Sequence, residues 1–154
     1  MSMFTAFDIN ATGMTAERFR MDTISQNVAN ANTTRTEDGT PYRRKIVVFQ
    51  EKNSQTPFHQ VLRKYSDYYA GDRYSGTGVK VTGVYEDNVT EGNKVYDPSH
   101  PDADENGYVM YPNVNIITEF TNLIDASRAY QANTTAFSAS KNIATMGLTM
   151  LNGS

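Results

Sequence analysis

The sequence predicts an α+β chain: long N- and C-terminal helices forming an antiparallel coiled-coil-like pair, with a small β-rich middle body between them. In the front arm Phe7, Met14, Met21 and Val28 stand seven residues apart. In the rear arm Leu123, Tyr130, Phe137, Ala144 and Leu151 do the same. A seven-residue apolar repeat is the pattern that winds helices around one another. The middle lacks that repeat and carries short β-branched and tyrosine-rich runs broken by glycine and proline. The expected division is an assembly helix over 1–34, body and loops over 35–112, and a second assembly helix over 113–154.

The front helix is expected to run to about Ala31, with Ala11, Ile24 and Ala31 thickening its stripe. Glu17 with Arg20, and Arg18 with Asp22, have the spacing of ion pairs on one helix face. The run Asn27-Val28-Ala29-Asn30-Ala31-Asn32-Thr33-Thr34 should end it, one asparagine taking the left-handed conformation of a C-terminal cap. One asparagine would suffice for that, so Asn27 and Asn30 are candidates for assembly contacts.

Arg35 to Pro41 reads as a loop with Asp38-Gly39 as its turn. Lys45 to Phe49 is a short β run, and Phe58 to Tyr69 fits helix, strand or coil. From Tyr74 to Tyr85, Val79, Val81 and Tyr85 alternate with polar residues, while Gly76, Gly78 and Gly83 mark bulges or close approaches. Val95-Tyr96 and Tyr108 to Tyr111 are further β runs on either side of a turn.

From Ile116 to near Leu151 the pattern predicts one helix about 50–55 Å long, at 1.5 Å per residue. Asn115 is its N-cap. A second row, Ala129, Ala132, Ala136, Ala139, Ile143, Met146 and Met150, widens the apolar arc to about 160°. That is too broad for a single partner helix. Its threonines, asparagine and Gly147 together cost on the order of 4–5 kcal/mol in helix propensity. Each large apolar side chain returns about 1.5–3 kcal/mol when buried. The arms are therefore expected to be largely unfolded in a free monomer and to fold on assembly.

Composition removes whole classes of function. Cysteine is absent, which excludes disulfides, thiolate nucleophiles and zinc–thiolate sites. A net charge of −3, with Arg43-Arg44-Lys45 as the one dense basic run, gives no footprint for nucleic acid. There is no spanning stretch and no secretory leader, which read alone suggests a cytosolic protein. Asp102-Ala103-Asp104-Glu105-Asn106-Gly107 matches the first half of a calcium loop, but Asn113 stands where the bidentate glutamate belongs. His59 and His100 have no metal-ligand spacing, Ser99-His100 lies in a proline-flanked loop, and Gly76-Thr77-Gly78 is too short for a phosphate loop. The sequence thus predicts no enzyme, no cofactor, no metal and no small-molecule substrate. The alternative left open is a small calcium- or ligand-binding module that oligomerises through its helices.

Ser127-Arg128-Ala129-Tyr130-Gln131-Ala132-Asn133 places polar groups and small alanines mid-helix, where buried polar groups fix register. Arg128 and Asn133 are its candidate contact residues, and Asp125 has the spacing to pair with Arg128.

These residues also carry a family resemblance. The Asn27 to Thr34 run resembles the asparagine-rich end of the N-terminal helix in bacterial flagellar rod and hook proteins. Ser127 to Asn133 resembles their C-terminal helix motif. The stretch from Arg35-Thr36 through Pro41-Tyr42-Arg43-Arg44-Lys45 and the long stretch Asp97 to Asn115 resemble the proximal rod members. The resemblance is thinnest from Gln50 to Tyr74, and Thr34-Arg35 replaces the glycine usual after the asparagine run. It implies a structural subunit of the proximal rod, assembling through its terminal helices and transmitting torque from motor to hook. It implies export by the flagellar type III apparatus without a cleaved signal, and hence an extracytoplasmic place in the basal body. The implied partners are other proximal rod proteins, copies of itself, the export apparatus and the membrane-ring base.

Overall fold

The computed structural model describes residues 3–52 and 76–152. The ambiguous stretch Phe58 to Tyr69, Tyr74 and His59 lie outside the described residues. Helix α1 spans Met3–Ala29 and helix α2 spans Ile116–Asn152. Between them lie β1 (Lys45–Glu51), β2 (Val79–Glu86), β3 (Asn93–Tyr96) and β4 (Tyr108–Tyr111). The architecture is α+β, as the alternation of patterns predicts.

The two helices run antiparallel against each other. The Phe7 ring meets Phe137 edge-on at 5.1 Å, Gly13 lies beneath Asn133, and Asn27 reaches Glu119. Fifteen residues of α2 follow Phe137 and four of α1 precede Phe7, so about eleven residues of α2 outrun its partner. At 1.5 Å per residue that overhang is roughly 16 Å. Within one chain, then, each arm already shelters part of the other's stripe. This departs from the expectation of arms that find cover only on assembly, because that expectation left out the pairing of the two arms with each other. The second row of α2 is not sheltered: Ile143, Met146 and Met150 are exposed. An arc that broad needs more than one neighbour, and α1 covers only one side of it.

Both helix ends follow from local chemistry. The Asn115 side chain accepts hydrogen bonds from the amides of Ile117 (3.0 Å) and Thr118 (3.2 Å), which makes it the N-cap of α2. The end of α1 departs from expectation. Among the described residues only glycines have positive φ, so no asparagine takes the left-handed conformation. Instead the backbone and side-chain amides of Asn30 both donate to the Gln26 carbonyl, at 3.1 and 2.9 Å, and the Ala31 amide donates to the Val28 carbonyl at 3.2 Å, tightening the last turn. Along α2 the hydroxyls of Thr121, Thr134, Thr135, Ser140, Thr145 and Thr149 each donate to a carbonyl one turn back.

Among the described residues the strands form two separate antiparallel pairs, here called hairpins. β1 and β2 pair from Lys45↔Glu86 to Glu51↔Val79, with an irregularity between Val48 and Phe49 that leaves Thr82 as the extra residue beside Gly83. Isolated hairpins are marginal in water. This one gains support from α1, where Val79 donates its amide to Thr12 Oγ1 at 3.2 Å. Gly78 makes that approach possible: its φ is +92°, and a Cβ there would collide with the Thr12 hydroxyl. α1 is therefore the central element, with α2 on one side and the β1–β2 hairpin on the other. The β3–β4 hairpin pairs Asn93↔Tyr111 to Tyr96↔Tyr108 and buries Val109 completely.

Candidate assembly surface and the polar junction beneath it

Where α1 ends, β1 begins and α2 starts, a buried polar cluster ties the helices to the body. Asn27 is fully buried. Its Oδ1 accepts from Tyr42 Oη (2.9 Å) and from the Lys45 amide (2.9 Å). Its Nδ2 donates to the Lys45 carbonyl and to Glu119 Oε2, both at 2.9 Å. Every polar valence of the Asn27 amide is used, which is the condition for burying such a group at low cost. Glu119, also fully buried, accepts at Oε1 from Arg44 Nε and Nη2 at 2.8 Å each. The Arg44 amide donates to Asn113 Oδ1 at 2.8 Å, and Asn113 Nδ2 donates to the carbonyls of Asp87 (2.9 Å) and Thr90 (3.1 Å). One connected network therefore spans α1, the following loop, β1, the β2–β3 loop and α2. Burial raises the Tyr42 hydroxyl above its ordinary pKa, and the carboxylates of Glu86 and Glu119 push it the same way.

The helix seam alternates small and large groups. A Cβ on Gly13 would lie 3.0 Å from the Asn133 amide, so glycine is what lets that side chain in. Ala126 is fully buried between these layers. Asn133 returns its own Nδ2 to the Ala129 carbonyl at 3.0 Å. Glu17 is mostly enclosed and lies 3.8 Å from Arg20.

Of the candidate residues read from sequence, Phe7 and Phe137 touch each other, Asn133 packs on Gly13, and Asn27 sits in the polar junction. Met14, Met21, Val28, Leu123, Tyr130 and Ala144 are half-buried along the helices. Asn30 caps α1, and Arg128 is exposed. Leu151 falls in the last turn of α2, its side chain outside the described residues. Sequence reading missed Glu119, Arg44, Tyr42, Asn113, Gly13 and Ala126. A signal existed for part of this: Glu119, Ala126, Asn133, Ser140 and Gly147 also stand seven apart. A search for apolar repeats passes over such a row.

The outward surface is apolar for a different set of residues. Ile117, Phe120 and Ile124 are 79%, 50% and 54% exposed near the start of α2, and Ile143, Met146, Leu148 and Met150 are exposed on its overhang. Large apolar side chains aligned on one exposed helix mark a contact surface.

The acidic loop has a structural use. Asp104 Oδ1 accepts from the amides of Asn106 and Tyr108 at 2.8 Å each, and its Oδ2 lies 3.7 Å from Lys94. The Tyr108 amide, then that of Asn106 and the Lys94 charge, hold the Asp104 carboxyl below the usual range. Asp102 accepts from Thr34 Oγ1 at 2.8 Å and lies 3.8 Å from Arg35, tying the loop to the end of the asparagine run. Asp97 accepts from Ser99, which lowers its pKa. With these carboxylates turned to donors of the chain itself, the geometry lends the calcium reading no support. Among the described residues no group of three or more histidines and carboxylates is placed to hold a metal ion. Nor is any described helix long and apolar enough to cross a membrane.

Paired terminal helices beside a small body, with an apolar outer face, suit a structural subunit that makes contacts through its helices. Residues 7–35 match the family described as flagella basal body rod protein. Residues 105–150 match the C-terminal family of the flagellar basal body rod FlgEFG proteins. The class is thus that of the flagellar basal-body rod. Over nearly its whole length the chain is similar to basal-body rod proteins named FlgC. It is 40% identical to that of Borreliella burgdorferi over 99% of this chain and 100% of the relative. The Bacillus subtilis protein is 40% identical over 92% and 93%, and that of Salmonella typhimurium 35% over 97% and 98%. The chain belongs to the FlgC family of flagellar basal-body rod proteins. It is a structural subunit of the rod and not an enzyme.

Proposed function

We propose that the chain is a proximal-rod subunit that passes torque between motor and hook through contacts made by α1 and α2. Its partners are other proximal rod proteins and further copies of itself, with the membrane-ring base at one end. It reaches that place through the flagellar export apparatus, keeping its N-terminus. The row Phe7, Met14, Met21 and Val28 and the row Leu123, Tyr130, Phe137, Ala144 and Leu151 form the edges of the helix pair against which neighbouring helices pack. Asn27, Asn30, Arg128 and Asn133 fix register along them. The division into arms 1–34 and 113–154 and body 35–112 is functional in this reading: the arms join, and the body braces.

The observation that supports this best is the exposed apolar face of α2, above all its overhang beyond α1. Placing charge there tests it without disturbing the chain's own fold. Ile143→Glu with Met146→Glu should leave the monomer's circular dichroism and melting unchanged while abolishing rod assembly and swimming in soft agar. Normal motility in that variant would defeat the reading.

A further inference from the structure

The apolar rows cannot by themselves fix how far α2 slides along α1. Phe7 meets Phe137 in the structure. A slide of seven residues, about 10.5 Å, sets Phe7 against Tyr130 in one direction, or Met14 against Phe137 in the other. Either register keeps apolar groups facing apolar groups, because a seven-residue repeat is unchanged by a seven-residue shift.

The second row is not indifferent. Gly13, Arg20 and Asn27 stand seven apart on α1, as do Glu119, Ala126 and Asn133 on α2. Asn27 meets Glu119 and Gly13 meets Asn133, which sets Arg20 level with Ala126 between them. Consider the slide that carries Phe7 to Tyr130. Gly13 would then face Ala126, and Arg20 would face Glu119, which is sterically and electrostatically tolerable. What opposes it is the junction: Asn27 and the Arg44 guanidinium would both lose the Glu119 carboxylate. Now consider the slide that carries Met14 to Phe137. The junction opposes this slide as well, because Asn27 would face Ala126 and lose Glu119. A second obstacle is added: Asn133 would leave the space above Gly13 and meet the bulk of Arg20.

We infer that this polar row is an asymmetric register stop: the Asn27–Glu119–Arg44 cluster opposes sliding in either direction, and the Gly13–Asn133 fit adds a second obstacle in one of them. These residues position the helices, and they do so within the single chain, independently of which neighbours the rod supplies. A polar residue at one seam position fixing register is a known use of such groups. Here two unlike devices share the task, and one of them acts in a single direction.

The cysteine-free chain makes the test direct. Three pairs are introduced singly into the dilute full-length protein and oxidised: Phe7→Cys with Phe137→Cys for the native register, Phe7→Cys with Tyr130→Cys, and Met14→Cys with Phe137→Cys. A one-heptad offset puts the last two pairs beyond the roughly 7 Å Cα separation a disulfide spans, so only the first should close in the parent. Asn27→Leu with Glu119→Leu should raise closure of both the 7–130 and the 14–137 pairs at least about fivefold, equivalent to losing about 1 kcal/mol of discrimination. Asn133→Ala should raise the 14–137 pair alone. A leucine variant that releases neither pair, or an Asn133→Ala variant that releases neither pair or both equally, would overturn the inference. Should the double leucine variant lose its helical circular dichroism, the Asn133→Ala arm, which leaves the junction intact, decides alone.

Discussion

Glu119→Ala isolates the junction in one substitution. The side chain is fully buried and accepts three hydrogen bonds, from Asn27 Nδ2 at 2.9 Å and from Arg44 Nε and Nη2 at 2.8 Å. Removing it leaves the two partners in different positions. Asn27 Nδ2 still donates one hydrogen to the Lys45 carbonyl, but its other loses its acceptor. Arg44 loses the carboxylate it is bonded to and keeps only the more distant charge of Asp87. Breaking a buried ion pair by deleting one partner costs about 3–5 kcal/mol. The Arg44 side chain keeps 27% exposure and can be partly rehydrated, so the lower end applies. The expected loss is about 3 kcal/mol, which for a chain of this length lowers the melting temperature by roughly 6–12 °C. Glu119→Gln should lose less, about 1–2 kcal/mol: its oxygen can serve Arg44, but its amide then faces the Asn27 amide, donor to donor. Asn27 cannot rotate to relieve this, because its oxygen already holds Tyr42 and the Lys45 amide. Urea titrations followed by circular dichroism measure both. In a double-mutant cycle, Glu119→Met with Arg44→Met should recover at least about 1 kcal/mol over the sum of the singles. A Glu119→Ala protein within about 0.5 kcal/mol of the parent, or a cycle without coupling, would refute the argument.

Tyr42 supplies an alkaline signature. Its folded pKa lies above the ordinary 10.0, so its contribution is complete below pH 10 and disappears as pH rises through the folded value. Absorbance titration of the phenolates should show a late-ionising component that Tyr42→Phe lacks. Asp104 behaves in the opposite sense. Its folded pKa lies below the ordinary 3.8, so its contribution holds above that pH and fades as pH falls through the folded value. Carboxyl NMR should show it titrating below an ordinary aspartate, and Asp104→Asn should remove that part of the acid dependence. Two of the three left-handed glycines among the described residues, Gly39 and Gly78, should separate. Gly39→Ala meets nothing within 4 Å, so it costs only the backbone strain of about 1–2 kcal/mol. Gly78→Ala adds the collision with Thr12 and should cost clearly more in urea melts.

The legible parts of this fold are those decided within a turn or two of chain. The β runs at Lys45, Val79, Val95 and Tyr108 stand where alternation and turn residues place them, and Asn115 caps α2 because its side chain needs only amides two and three residues on. Gly78 and Gly83 mark a close approach and a ladder irregularity, as glycines inside strands do. What resisted reading depends on partners far away in sequence. Glu119 on a predicted helix resembles any solvated acid until Asn27, 92 residues earlier, and Arg44, 75 residues earlier, close around it. The asparagine run was recognisable as special, but its division of labour was not. Asn27 holds the junction, while Asn30 caps through its side chain in place of a left-handed backbone. The apolar rows predicted the helices but not which face would be covered from within, since α1 and the hairpin choose that in three dimensions.

The hydroxyls along α2 bear on how another molecule can lie against it. Thr121, Thr134, Thr135, Ser140, Thr145 and Thr149 are exposed or half-exposed, yet each already gives its proton to a carbonyl of its own helix. A free hydroxyl pressed under an oily neighbour forfeits its water and costs about 1–3 kcal/mol. These forfeit little, because their donor is spoken for before anything arrives. The helix is polar when written in letters, but these hydroxyls ask little of whatever lies against them. A lysine or glutamine grafted there would bring a donor that must be solvated again at every contact.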